Sequence, residues 1–263
     1  MHTRGVMNRS RPAPHWCHAS TGLDDFAIVT WAVDPDRVAA TLPAGFVPDV
    51  RAGVALVSAV AFVDDRFHFR GLPFPRVSCG QVNYRAYVRH HDESGVWFFG
   101  TSLDSALVRL PQVAWKMPWH RDRLRIAADW TDSTDSTDLT GERCRSWRLT
   151  ATGRWGAASI ALRGTGGPYR PPDGFAGPDE VSEVLLDPFV GWYARRDGSG
   201  VGRYSVWHES LALEQAVVDE ATSQVFSDLT LIDDGQVPVS AALQRHVHFD
   251  VHTPPTRLSR STR

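Results

Sequence analysis

The stretch Gln81-Val82-Asn83-Tyr84-Arg85-Ala86-Tyr87-Val88-Arg89 decides how this chain is read. Successive side chains of a strand point to opposite faces, so the run divides into two sets. Val82, Tyr84, Ala86 and Val88 form a largely apolar face. Gln81, Asn83, Arg85, Tyr87 and Arg89 form a comb of amide, guanidinium and phenol groups on the other. The plain reading is an antiparallel strand with its polar face in water. In the other reading the comb faces a cavity, where donors and acceptors at fixed spacing would grip a small carboxylate or carbonyl compound.

The flanks of this strand also read as sheet. Upstream, Gly53 to Val63 is almost wholly apolar, as expected of a strand buried on both faces, and Gly71 to Pro75 reads as a loop. Downstream, His91 to Gly95 is a turn into Val96-Trp97-Phe98-Phe99. Nearer the start, Phe26 to Val33 is β-rich, and Asp34-Pro35 predicts an N-cap and first-turn proline for a helix over Pro35 to Leu42. Asp104 to Val113 is a helical stretch kinked by Pro111, and Leu124 to Trp130 a strand. Thr131 to Thr140 is an exposed, turn-rich loop; Cys144 to Thr152 and Trp155 to Arg163 form a hairpin; Gly164 to Pro178 is the longest loop. Val181 to Tyr193 has helical spacing interrupted by Pro188, and Gly200 to Ser210 is a strand. Leu211 to Phe226 carries mixed signals, and Val237 to Val251 closes the set. Roughly eight or nine strands and two or three helices argue for one α+β domain around an antiparallel sheet or barrel. It spans residues 23–252, between a flexible tail at 1–22 and a polar tail at 253–263.

The totals exclude several classes. Hydrophobic content of 42% and charged content of 22% are those of a globular protein, and the net charge of −2 carries no block of one sign. Nothing points to nucleic acid or to an acidic membrane surface. No apolar run is long enough for a spanning helix, and Met1 to Ser20 lacks the apolar core of a secretory signal. Cys17, Cys79 and Cys144 are widely spaced and odd in number, which supports neither a disulfide framework nor a zinc knuckle. Reducing cytoplasm is the expected compartment, and self-association into a homo-oligomer is left open. Glycine-rich phosphate loops and a G-x-S-x-G elbow are absent, so no cofactor is expected.

Four short motifs in order carry a resemblance. They are Asp34-Pro35 through Leu42-Pro43-Ala44-Gly45-Phe46; the comb strand with Gly95-Val96-Trp97-Phe98-Phe99 and Leu103-Asp104; Met117-Pro118-Trp119-His120; and Phe189 to Tyr193 with Val206-Trp207-His208. Together they resemble the YqjF-like family of uncharacterised conserved bacterial proteins, a branch of the acetoacetate decarboxylase-like superfamily, over roughly residues 24–252. The resemblance implies a cone-shaped antiparallel β-barrel with a few short helices, enclosing a small-molecule cavity. In that family the comb usually begins with glutamate. Gln81 replaces it here, which removes a titratable group. Acetoacetate decarboxylases proper place two adjacent lysines after a proline, one forming a Schiff base while its neighbour lowers its pKa. Aligned on Pro118, those positions hold Trp119 and His120, and the chain's one lysine, Lys116, precedes the proline.

The candidate site follows. Arg85 is the carboxylate clamp, because a guanidinium donates two parallel hydrogen bonds and keeps its charge when buried. Gln81, Asn83 and Tyr87 assist, and Trp119 forms wall. His120 and His208 are the candidate proton carriers; Lys116 is a candidate nucleophile whose register argues against it. The leading expectation is an enzyme, lyase-like in the manner of a decarboxylase, dehydratase or aldolase, that acts on a small oxo-acid by acid–base or electrostatic means. A ligand-binding protein that keeps the cavity without catalysis is the second. The third is a metal-dependent enzyme using His246, His248, Asp250 and His252, which share a strand face.

Overall fold

The Asp34 carboxylate accepts the backbone N–H of Asp36 and Pro35 takes the first helical position, so α1 (Pro35–Thr41) forms where the capping signals place it. The computed structural model describes residues 11, 13, 15–132, 142–175, 177–181, 184–185 and 189–258. In the first half of the chain the strands are β1 (Ala19–Val33), β2 (Phe46–Pro48), β3 (Ala55–Phe69), β4 (Leu72–His90), β5 (Glu93–Leu103), β6 (Trp119–Arg121) and β7 (Arg123–Asp132). They are followed by β8 (Glu142–Thr152), β9 (Ala158–Pro168), β10 (Val190–Ala194), β11 (Val201–His208), β12 (Glu214–Ser223) and β13 (Ser240–Arg257). The helices are short: α2 (Arg109–Ala114), α3 (Pro178–Val181) and α4 (Gln224–Asp228) join α1 among the described residues. None is long and apolar enough to cross a membrane.

Seven strands close a barrel in the order β1-β3-β4-β5-β10-β11-β13, and the pairing of β1 with β13 returns the path to its start. Neighbours run antiparallel except β10, which pairs in parallel with β5. From β13 the sheet continues outward through β12, β9, β8 and β7. The large core lies between this extension and the outer wall of the barrel. It joins Val29 and Trp31 of β1, Val82 and Tyr84 of β4, Trp147 and Leu149 of β8, and Ile160 and Leu162 of β9, with Phe226 from α4. The apolar face of the comb strand is therefore covered by protein on the outside of the barrel, and its polar face looks in.

Several expectations are corrected. Residues Ala19 to Gly22 and Thr253 to Arg257, assigned to tails, belong to β1 and β13. Leu72 to Pro75, expected as a loop, begins β4, with Leu72 opposite Phe69 across a tight hairpin. The helical reading of Val181 to Tyr193 fails at its end, where Val190 to Ala194 forms β10. Val190 to Tyr193 are all buried, so this strand shows no alternation to reveal it. The mixed stretch before Phe226 is β12, whose parity is broken by two register shifts against β9. Residues 133–140 of the expected exposed loop lie outside the described residues.

Gly191 in β10 lets the wall close on itself. A Cβ there would meet Cε2 of Phe98 at 2.5 Å and Cε1 of Tyr204 at 3.2 Å, whereas one on Gly177 would meet nothing within 4 Å. Gly191→Ala is expected to cost about 1–3 kcal/mol in urea unfolding through overpacking, and Gly177→Ala to stay within about 0.5 kcal/mol of the parent.

Candidate functional site

Because Val82, Tyr84 and Ala86 pack outward, alternation sends Gln81, Asn83 and Arg85 into the barrel, where all three line one cavity. Arg85 is 8% exposed. Its Nη2 donates to the Leu185 carbonyl at 3.1 Å and to Tyr87 Oη at 3.2 Å, and its guanidinium carbon lies 5.3 Å from the Tyr87 ring centroid. Tyr87 Oη reaches Ser58 Oγ at 2.9 Å, and Ser58 reaches Thr30 Oγ1 at 2.8 Å, so a buried chain of hydroxyls runs from β4 to β1 behind the arginine. The Nε of Arg85 is buried without a hydrogen-bond partner, and among the described residues no carboxylate forms an ion pair with this cation. A buried charge in that condition is costly until an anion arrives.

The cavity measures about 130 Å³ and its walls are mainly apolar, including Phe62, Phe98, Met117, Trp119, Tyr204 and Phe249. A cavity of about 150 Å³ holds a benzene molecule, so this one suits a ligand of roughly six non-hydrogen atoms. Asn83 Oδ1 accepts from Gln81 Nε2 at 3.0 Å and Thr101 Oγ1 at 2.8 Å, which leaves the Asn83 amide nitrogen as a donor. Tyr204 stacks on Phe98 with ring centroids 5.5 Å apart; burial drives its phenol far up, against a smaller lowering by Arg85, so it stays protonated.

The sequence reading missed Asp64. It is 5% exposed, lines the same cavity, and accepts from Thr21 Oγ1 at 3.1 Å. Burial pushes its carboxyl up to about 7, with the Thr21 bond opposing. Leu56, Ser58, Val60 and Phe62 precede it at alternate positions, so carrying the alternation one step past the apolar run would have found it. His208 also lines the cavity. It is buried, stacks on Phe249 with centroids 4.2 Å apart, and places Nδ1 2.8 Å from the Glu209 carbonyl. A carbonyl only accepts, so Nδ1 carries a proton.

The remaining predicted site residues fall elsewhere. Trp119 lines the cavity, so its neighbour His120 on β6 faces the other way. There it stacks on Trp155 with centroids 4.0 Å apart, and burial, then Arg196, lower its pKa against a smaller opposing effect of Asp122. Lys116 takes a left-handed backbone (φ 56°) between Trp115 and Met117, both of which line the cavity while the lysine does not. Tyr87 supports Arg85 from behind rather than lining the cavity. His246, His248, Asp250 and His252 lie on the outer face of β13, opposite Phe249 and Val251 of the lining. His246 bonds Asp24 at 2.5 Å and His248 bonds Ser20 at 3.2 Å. Burial pushes the Asp250 carboxyl up, but bonds from Arg11 and Arg70 at 2.7 Å each outweigh it and hold the group well below its usual range. Each oxygen of the Asp250 carboxylate is held by an arginine, which makes it a poor metal ligand.

The sequence matches the family described as an uncharacterized conserved protein, DUF2071, over residues 20–249. Among solved structures, an acetoacetate decarboxylase-like enzyme from Sphingomonas wittichii RW1 aligns with a TM-score of 0.59 at 12% identity, covering 97% of this chain and 98% of its own. The enduracididine biosynthesis enzyme MppR, complexed with pyruvate, aligns at 0.58 and 14% identity, covering 97% and 95%. Acetoacetate decarboxylase from Legionella pneumophila aligns at 0.57 and 13%, covering 95% and 93%. At these identities the likeness is one of fold. No curated protein matches the chain.

The Asp64 carboxyl makes stability depend on pH. The folded state binds this proton more tightly than the unfolded chain, whose carboxyl titrates near 3.8. Its contribution is therefore whole below that range and is lost as pH rises towards about 7. Asp64→Asn is expected to flatten the stability profile between those limits, removing a decline of about 4 kcal/mol at most. Chemical denaturation of both proteins at a series of pH values measures it; parallel profiles would show that Asp64 is not the group.

Proposed function

The chain belongs to the DUF2071, YqjF-like family and has the acetoacetate decarboxylase-like fold, and on that footing we propose that its chamber binds a small 2-oxo acid or related carboxylate and acts on its carbonyl group without a Schiff base. The observation that carries this reading is Arg85, a buried guanidinium whose Nε has no hydrogen-bond partner and which has no counter-ion among the described residues, at a cavity sized for such a molecule. A carboxylate on Arg85 completes a charge-assisted pair in a site where water is scarce. The donor nitrogen of Asn83 is then available to polarise the carbonyl oxygen. Asp64, with its carboxyl at about 7, holds and releases a proton at neutral pH at the end of the cavity away from Arg85. One fold relative is named as a complex with pyruvate, which fits this ligand class.

Imine chemistry has no support here, because the one lysine of the chain lies outside the cavity lining. That same lack of a nucleophile favours the second reading, a binding protein that holds the acid without converting it. Proton nuclear magnetic resonance of acetoacetate or pyruvate incubated with the protein separates the two. New product signals, or exchange of the pyruvate C3 protons into heavy water, faster than in protein-free buffer belong to the enzyme alone.

Two outcomes are expected. Isothermal titration with pyruvate and acetoacetate shows saturable binding that Arg85→Gln weakens by about thirtyfold or more, since truncating one partner of a buried charge pair costs about 2 kcal/mol or more. Arg85→Lys restores little of it, because a lysine lacks the planar fork. If neither acid binds the parent protein, the reading is wrong. Borohydride reduction in the presence of pyruvate leaves the protein mass unchanged; a stable adduct on Lys116 would restore the imine route.

A further inference from the structure

The segment before β1 carries a cluster that the chamber does not use. His15, Cys17 and His18 place one donor atom each within 4.8 Å of one another. A turn closed by the His18 N–H on the His15 carbonyl at 3.0 Å brings the two histidines together around the cysteine. The turn is fixed to the barrel on both sides. Gly71 N–H donates to the Trp16 carbonyl at 2.6 Å and Arg70 N–H to the His18 carbonyl at 2.9 Å; Cys17 Sγ donates to the Thr253 carbonyl at 2.7 Å, and Thr253 Oγ1 donates back to the Cys17 carbonyl. His15 Nδ1 stands 2.9 Å from Cys17 Sγ. A fourth imidazole borders the cluster: the ring centroid of His252 is 4.8 Å from that of His18. His252 Nδ1 is engaged by Ser205 Oγ at 2.9 Å, which orients the ring and leaves Nε2 on the side away from that bond.

We propose that His15, Cys17 and His18, with His252 at the fourth position, bind a borderline-soft divalent metal ion, zinc by first choice. Imidazole nitrogen and thiolate sulfur are the donors that zinc takes in tetrahedral sites, at about 2.0–2.1 and 2.3 Å. Those lengths set donor atoms roughly 3.5 Å apart, so the His15, Cys17 and His18 donors, already within 4.8 Å of one another, close on an ion with small side-chain rotations. Binding releases the Cys17 proton to solvent and replaces the thiol's bond to Thr253 by a metal–thiolate bond. The site lies on the outer side of a wall whose inner face, at Ala19, Val251 and Thr253, lines the chamber. An ion held there would staple the segment ahead of β1 to the end of β13, across the seam that closes the barrel.

The test uses the full chain without a histidine tag. Titration with zinc should give one equivalent per chain, and titration with cobalt(II) a near-ultraviolet thiolate-to-metal charge-transfer band. Cys17→Ser should abolish that band, and Cys17→Ser and His18→Ala should each weaken zinc binding at least tenfold. His246→Ala/His248→Ala serves as the control and should leave stoichiometry and band intact. Zinc should also raise the melting temperature of the parent and not that of Cys17→Ser, a readout that tests the staple separately from occupancy. Sub-stoichiometric uptake, or binding unchanged in Cys17→Ser and His18→Ala, overturns the site. So does binding that survives in those variants and is lost in the control pair.

Discussion

A guanidinium kept inside a β-barrel, with too few protein partners to satisfy it, is the constraint from which the rest of this structure follows. Charge taken out of water must be met by hydrogen bonds or by an opposite charge. Arg85 is met on one side only, by the Tyr87 phenol and the Leu185 carbonyl. Those partners in turn need support, which is why Ser58 and Thr30, two hydroxyl residues otherwise out of place in apolar strands, stand buried behind Tyr87. The Arg85 Nε is left without a partner among the described residues, and the residue lines the hollow.

A barrel that keeps a charge among its mainly apolar inner walls draws further apolar burial from elsewhere. Here it lies outside the wall. The faces of β1, β3 and β4 that carry Val29, Trp31, Ala59, Val82 and Tyr84 are covered by β7, β8, β9 and β12, which seal the large core. β13 makes both arrangements possible. Its eighteen residues pair with β1 to close the barrel, with β11 to continue it, and with β12 to begin the covering sheet. With hydrophobic stabilisation concentrated in the outer layer, the inner one is free to carry Gln81, Asn83, Arg85 and Asp64.

This division explains what could be read in the sequence. Period-two alternation separated the comb from its apolar back and named Gln81, Asn83 and Arg85 together, and the capping chemistry of Asp34 and Pro35 placed α1. Alternation cannot say which face is covered, so it leaves water and cavity both open for the comb; the covering sheet decides between them. It also fails where both faces are buried, as in Val190 to Tyr193, and where bulges break parity, as in β12 against β9. His120 was nominated by its position after Pro118, but β6 turns it away from the cavity that Trp119 faces. Asp64 was missed because an acid at the end of an apolar run reads as the strand's exit to solvent, when the strand continues to Phe69.

The two ionisable carriers of the proposed chemistry are set independently. Asp64 lies six residues along β3 from Ser58, the residue opposite Arg85, or about 20 Å of strand path. Burial and the Thr21 hydroxyl set its proton affinity, and the arginine makes no contribution to it. Neutralising Arg85 with a ligand carboxylate would therefore leave the Asp64 carboxyl near 7, where a group both takes and gives a proton at neutral pH. Had the two been an ion pair, the arginine would have held the carboxyl ionised in the empty protein and bound no anion of its own. Keeping them apart leaves Arg85 free to take an anion without disturbing the Asp64 proton, but a ligand of about six non-hydrogen atoms does not span that path, so Asp64 serves the far end of the chamber rather than an acid clamped on Arg85.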